Sequence, residues 1–220
     1  MILADEALTR LREGNRRFVR NRGEAGSADT ALRRAALLDG QEPYAIVLGC
    51  SDSRVPAEFI FDQGFGDLFV IRVAGNIVAP SQVGSVEFAA ERFGTRLVVV
   101  LGHSQCGAVI ATIEDILAGG ETPHSENLRS IVDRVRPAIQ ELVASHVAAD
   151  PDAAGLVGKA VRANVRVTAR QLRHGSPLLE RLVREDGLRI VGAEYSLETG
   201  IVDFFDMAAE DGGPGAGPLS

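Results

Sequence analysis

Three runs of the chain, 44–49 (YAIVLG), 67–73 (DLFVIRV) and 96–102 (RLVVVLG), constrain its fold more than any other feature. They are almost wholly apolar and rich in β-branched residues, as a strand must be when helices cover both of its faces. A fourth run at 188–195 and a fifth at 201–205 come late. The SLETG stretch between them reads as a hairpin turn, so the last strand is expected to run antiparallel at an edge. Helical patterns lie between the strands, at about 55–61, 82–93, 105–117, 127–145 and 152–173, the last preceded by Asp150 as a cap and Pro151 in the first turn. Strands alternating with helices imply an α/β fold. The sheet has about four mostly parallel strands plus a C-terminal antiparallel edge strand, with right-handed crossovers and helices on both faces.

The N-terminal stretch 1–22 sets Leu8, Leu11, Phe18 and Val19 on one helical stripe between arginines, and 29–38 reads as a second, shorter helix. Residues 1–40 thus form a helical arm on a single domain spanning 1–210, for which 220 residues supply core enough. The glycine- and proline-rich end, 211–220, reads as a flexible tail.

A net charge of −7 argues against a surface built for nucleic acid or anionic lipid, both of which need clustered Lys and Arg. No apolar run approaches the ~20 residues that span a bilayer, and no basic-then-apolar leader opens the chain, so a cytoplasmic location is expected.

The chain has two cysteines, Cys50 and Cys106, too few for a disulfide scaffold. A single bridge between them is one reading. The other is a metal site, because Cys50 directly follows the first strand (GCSDSR) and His103 directly follows the third (LGHSQCG). Turns at the carboxyl ends of parallel strands converge, so these distant segments become neighbours. His103 and Cys106 form a local chelate across a strand-to-helix turn, and Cys50 supplies a third ligand. Two thiolates and an imidazole suit Zn²⁺, with a fourth position left open for catalysis. Cys106 is expected in the first turn of the next helix, where unpaired amides favour a thiolate.

Asp52 and Arg54 flank Ser53 beside the first ligand and can pair. With Arg54 holding Asp52, the fourth metal position stays open; with Asp52 released, the carboxylate can close it. A closed zinc site with Asp52 as permanent fourth ligand, stapling two loops without catalysis, is the competing reading. The remaining histidines, His124, His146 and His174, lack ligand spacing and read as solvated.

Cys50 to Arg54 (CSDSR) and His103 to Gly107 (HSQCG) together resemble the zinc and dyad motifs of the β-class carbonic anhydrase family, and the likeness runs from GNRRF near the start to Phe205. That resemblance implies reversible hydration of carbon dioxide to bicarbonate by a zinc-bound hydroxide, with Asp52 and Arg54 as catalytic residues. It also implies a homo-oligomer, dimer or tetramer, whose N-terminal helices pack on a partner. Gln41 matches a substrate-binding glutamine that a partner subunit can supply, and Phe69, Ala74 and Phe88 match positions lining a narrow apolar pocket. A subgroup carries an inhibitory bicarbonate site of tryptophan, arginine and tyrosine. Arg72 and Tyr195 match it here, but Val47 stands in the tryptophan's place, so Arg72 reads as a structural or interface residue. A related zinc hydrolase of carbon disulfide or carbonyl sulfide would use the same site.

Overall fold

The computed structural model describes residues 2–23, 30–149 and 155–206. The expected cap at Asp150 and Pro151 and the tail at 211–220 lie outside the described residues. Five strands form one sheet in the order β2-β1-β3-β4-β5: β1 Ala45–Gly49, β2 Leu68–Arg72, β3 Leu97–His103, β4 Arg189–Tyr195 and β5 Val202–Asp206. β1 pairs in parallel with β2 and β3, β3 pairs in parallel with β4, and only β5 runs antiparallel. This is the expected sheet.

Alternation along the central strands explains their composition. Ala45, Val47, Leu97, Val99, Leu101, Val191 and Ala193 face one buried layer, while Ile46, Leu48, Val98, Val100 and Ile190 face the other. β1 and the body of β3 are therefore apolar at every position rather than at every second one, and β4 is so over its middle, 190–193. The first layer is covered by α1 Ala4–Val19, α3 Ala57–Ile60, α5 Gly107–Leu117 and α6 Glu126–Ala149. The second is covered by α4 Pro80–Arg92, α8 Pro177–Glu185 and the later turns of α7 Leu156–His174.

α1 buries Ala4, Ala7, Leu8, Leu11, Gly14 and Asn15 against its own chain, with Phe18 partly covered. Val19, expected on that stripe, is 38% exposed, because the buried face is set by the spacing of residues 4, 7, 8, 11 and 15. The polar member, Asn15, is fully used: its Nδ2 donates to the carbonyls of Ile60 and Gly200 and its Oδ1 accepts from the Val202 N–H. The short α2, Thr30–Ala36, leaves Leu32 exposed, and Leu38 beyond it is 84% exposed.

The 196–200 hairpin closes as expected, with Ser196 and Ile201 paired and Gly200 at a positive φ of 73°. α8 has no counterpart among the expected helices. Its signal is in the sequence: Ser176 caps the helix by accepting from the Leu179 N–H, and Pro177 occupies the first turn. α4 likewise starts at its proline, Pro80, two residues before the periodic pattern begins.

Candidate metal centre

The strand register aligns the ends from which the site hangs. Gly49 lies opposite Leu101 on β3 and Arg72 on β2, so the residues following β1, β2 and β3 emerge at one rim of the sheet. Cys50, His103 and Cys106 are all buried there, with their ligand atoms within 4.8 Å of one another. The two cysteines are free thiols, which removes the disulfide reading.

Each ligand is held by its own local structure. His103 is 1% exposed and its Nδ1 lies 2.9 Å from the Ser104 carbonyl oxygen. A carbonyl only accepts, so Nδ1 carries the proton and Nε2 presents its lone pair inward. Among the described residues that Nε2 is a buried atom with no hydrogen-bond partner, as expected of a nitrogen awaiting a metal. Ser104 is itself pinned, its N–H donating to Tyr195 and its Oγ accepting from the Leu197 N–H, so the C-terminal hairpin fixes the histidine turn.

Cys106 is not in the first turn of α5. Gln105 takes a left-handed φ of 58°, and Cys106 is the extended residue immediately before the helix. The amides of Val109 and Ala108 nevertheless favour its thiolate, as at any helix start. The Cys106 thiol donates to Cys50 and lowers the Cys50 pKa against the opposing effect of burial. The same hydrogen bond, with burial, raises Cys106. Cys50 also accepts a hydrogen bond from the Gly75 N–H at 3.4 Å.

Asp52 and Arg54 are paired. Asp52 Oδ1 accepts from the Arg54 backbone N–H and Nε, both at 2.9 Å, and Oδ2 accepts from Nη2 at 2.6 Å. This two-pronged grip holds the carboxyl well below the usual carboxylate range. Oδ2 stands 4.0 Å from His103 Nε2, placing the carboxylate at the edge of the ligand cluster. Arg54 Nη2 also reaches the Gln105 carbonyl at 3.3 Å, so this side chain ties the two ligand-bearing turns together.

Arg72 and the segment after it are the parts that sequence reasoning underused. Arg72 Nε donates to the Cys50 carbonyl at 3.0 Å and Nη2 to the Asp52 carbonyl at 2.6 Å, so the end of β2 braces the CSDSR turn. Its structural reading is borne out. A single 3₁₀ turn, Ala74–Asn76, follows, with Gly75 at φ 70° and Asn76 at φ 43°. A glycine and an asparagine directly after a buried strand were the available signal for such a turn.

The expected substrate residues are dispersed within one chain. Ala74 sits beside Gly75 at the site. Phe69 and Phe88 lie instead on the second layer, their centroids 6.3 Å apart and each near Phe93, with Phe88 54% exposed. Gln41 borders a cavity of about 950 Å³ at the opposite end of β1, together with Arg10, Tyr44 and Arg92. The five residues of β1 separate it from Cys50 by roughly 17 Å of strand.

His124 is not solvated. Its side chain is 9% exposed and Nε2 lies 3.7 Å from Oδ1 of Asp115, a fully buried carboxylate that also pairs with Arg136. No helix among the described residues is long and apolar enough to cross a membrane.

The family model for carbonic anhydrase matches residues 45–202. Carbonic anhydrase 2 of Mycobacterium tuberculosis is 38% identical over 190 residues, covering 86% of this chain and 87% of the relative. A carbonic anhydrase of Mycolicibacterium smegmatis is 40% identical over 195 residues, covering 88% and 89%. Among solved structures, a β-carbonic anhydrase of Aspergillus fumigatus superposes with a TM-score of 0.70 at 25% identity, covering 84% of this chain and 88% of that one. A buried two-cysteine, one-histidine cluster at the rim of a mostly parallel sheet, met by a family match over most of the chain, places this protein in the β-class carbonic anhydrase family.

Proposed function

We propose that this chain is a zinc-dependent carbonate dehydratase that interconverts carbon dioxide with bicarbonate and a proton. The observation that carries the reading is the ligand cluster: two free buried cysteines and an unpartnered histidine nitrogen, with the Arg54-held carboxylate of Asp52 at its edge. The donors fit zinc in number and softness. A zinc ion held by Cys50, His103 and Cys106 supplies Lewis acidity toward water, for which carbonic anhydrases are the standard case, weakened here by two thiolates so that activity rises on the alkaline side of neutrality.

The protein's own groups do the rest. Asp52, kept ionised and clamped at both oxygens, accepts a hydrogen bond from the reacting water and orients it toward the substrate carbon. Arg54 holds that carboxylate at the edge of the ligand cluster; released, Asp52 would be placed to serve as a fourth ligand and close the site. Gln41 lies beyond the far end of β1 and the Phe69 and Phe88 rings lie on the other layer of the sheet, so in this reading a second copy presents them, which makes the working unit a homodimer or a larger assembly. With its only two cysteines used as ligands, the chain carries no disulfide framework, which fits a cytoplasmic protein.

Stopped-flow hydration of carbon dioxide, run beside zinc analysis of the wild type and Cys50→Ser, tests the reading. The wild type is expected to bind one zinc per chain and to hydrate carbon dioxide, and Cys50→Ser to lose both. A zinc-loaded wild type inert toward carbon dioxide would overturn it, and turnover of carbonyl sulfide or carbon disulfide by the same sample would assign the site to the sulfur analogues instead.

A further inference from the structure

Helix α7 passes behind the metal centre and carries a polar residue on its buried face. Asn164 is 2% exposed between Ala160, Val161, Val165 and Ala169, all deeply buried. An amide in such surroundings is costly unless its hydrogen bonds are made. Asn164 Nδ2 donates to the Gly75 carbonyl at 2.8 Å, across 89 positions of sequence. The other side of Gly75 faces the ligands, its N–H donating to Cys50 Sγ.

These two bonds belong to different peptide units. The carbonyl gripped by Asn164 lies in the 75–76 peptide, and the N–H aimed at sulfur lies in the 74–75 peptide. Fixing the first therefore fixes the second through the φ and ψ of Gly75, which sits left-handed at 70° and 16°. Little else in the turn could hold that conformation, since a Cβ at Gly75 would come within 3.1 Å of Ala108 Cβ and 3.4 Å of a Val135 methyl.

We propose that Asn164 is a positioning residue of the metal centre: by anchoring the Gly75 carbonyl it aims the Gly75 amide at the Cys50 sulfur, fixing that ligand's orientation and moderating its electron donation to the metal. The inference rests on the reading of Cys50 as a zinc ligand. Hydrogen bonds outside the ligand shell orient and tune ligands in this way, at a typical cost of ten- to a hundredfold in metal affinity when removed.

Cobalt(II) in place of zinc gives a test independent of turnover, because its thiolate-to-metal charge-transfer band reports electron donation by sulfur. Wild type, Asn164→Leu and, as a control on the same buried helix, Thr168→Val are loaded with cobalt and titrated against a competing chelator. Asn164→Leu is expected to shift the band to longer wavelength and to lose about tenfold in affinity, with Thr168→Val unchanged in both. A wild type lacking the band would remove the metal reading itself. A wild type showing it, with Asn164→Leu matching in band and affinity, would overturn the positioning role alone. Should Asn164→Leu fail to fold by circular dichroism, the unmutated protein loaded with ¹¹³Cd decides: scalar coupling from the metal to the Gly75 amide proton is expected, and its absence overturns the proposal.

Discussion

At the scale of single residues, the centre is a set of side chains held by hydrogen bonds around one buried nitrogen, His103 Nε2, that has none among the described residues. Asp52 illustrates how charge and geometry combine. Arg54 occupies both carboxylate oxygens, so the acid form is disfavoured and the group ionises well below the ordinary carboxylate pKa. Because the folded pKa is depressed, the pair's contribution is present above the unfolded value of ~3.9 and is lost only as pH falls through the lower folded one. In the proposed gate, protonation of Asp52 is therefore not the trigger in mild acid; the trigger would be its release by Arg54. In Arg54→Ala the Asp52 carboxyl is expected to titrate closer to the ordinary range by carbon-13 NMR of the metal-free protein. Hydration turnover should fall ten- to a hundredfold with zinc content unchanged. An unmoved titration or full activity would remove the clamp from the account.

At the scale of elements, helices and turns are fitted to the sheet by a few contacts that allow no substitution. Gly14 sits inside α1, where helix propensity alone would favour alanine by about 0.5–1 kcal/mol. Packing decides otherwise: a Cβ there would lie 1.8 Å from the Phe61 carbonyl oxygen, a backbone atom that cannot swing aside. Gly14→Ala is therefore expected to destabilise by about 1–3 kcal/mol, read as a lowered urea midpoint. A stabilised variant would show that α1 docks more loosely than this contact implies. The elements were also where sequence patterns read well and then stopped reading. The strands were legible because burial on both faces leaves an unbroken apolar run, and the hairpin because Gly200 marks its turn. α8 escaped although it carries both a cap at Ser176 and Pro177 and an apolar stripe of Leu178, Leu179 and Leu182, because its nine residues are too few for a periodic pattern to stand out. α5 was expected two residues too early, with Cys106 inside it, because the left-handed Gln105 delays the helix.

For the whole molecule, the ligands were legible before the residues that support them. Cys50, His103 and Cys106 declare themselves by type and by their place at strand ends. Arg72, Gly75 and Asn164 serve through carbonyls and amides, whose partners only the folded chain reveals. The placement of Gln41, Phe69 and Phe88 away from their own chain's centre carries the assembly prediction. Among the described residues β2 is an edge strand of the sheet, with Phe69 on it and the exposed Phe88 beside it, an arrangement suited to a second copy. Sedimentation velocity is expected to show a dimer or larger species for the wild type and a shift toward monomer, with reduced turnover, for Phe88→Lys. A wild type that sediments as a monomer and is fully active would refute the shared site.

The distribution of the ligands over separate strands has a consequence in time. Cys50 follows β1, His103 ends β3 and Cys106 comes three residues later, so all three groups meet only after a parallel pairing between segments remote in sequence. Such non-local pairings are the slow part of folding. On the proposed function, capture of an ion by the complete set therefore comes after this pairing, and a newly made chain gains its activity only once its core is assembled.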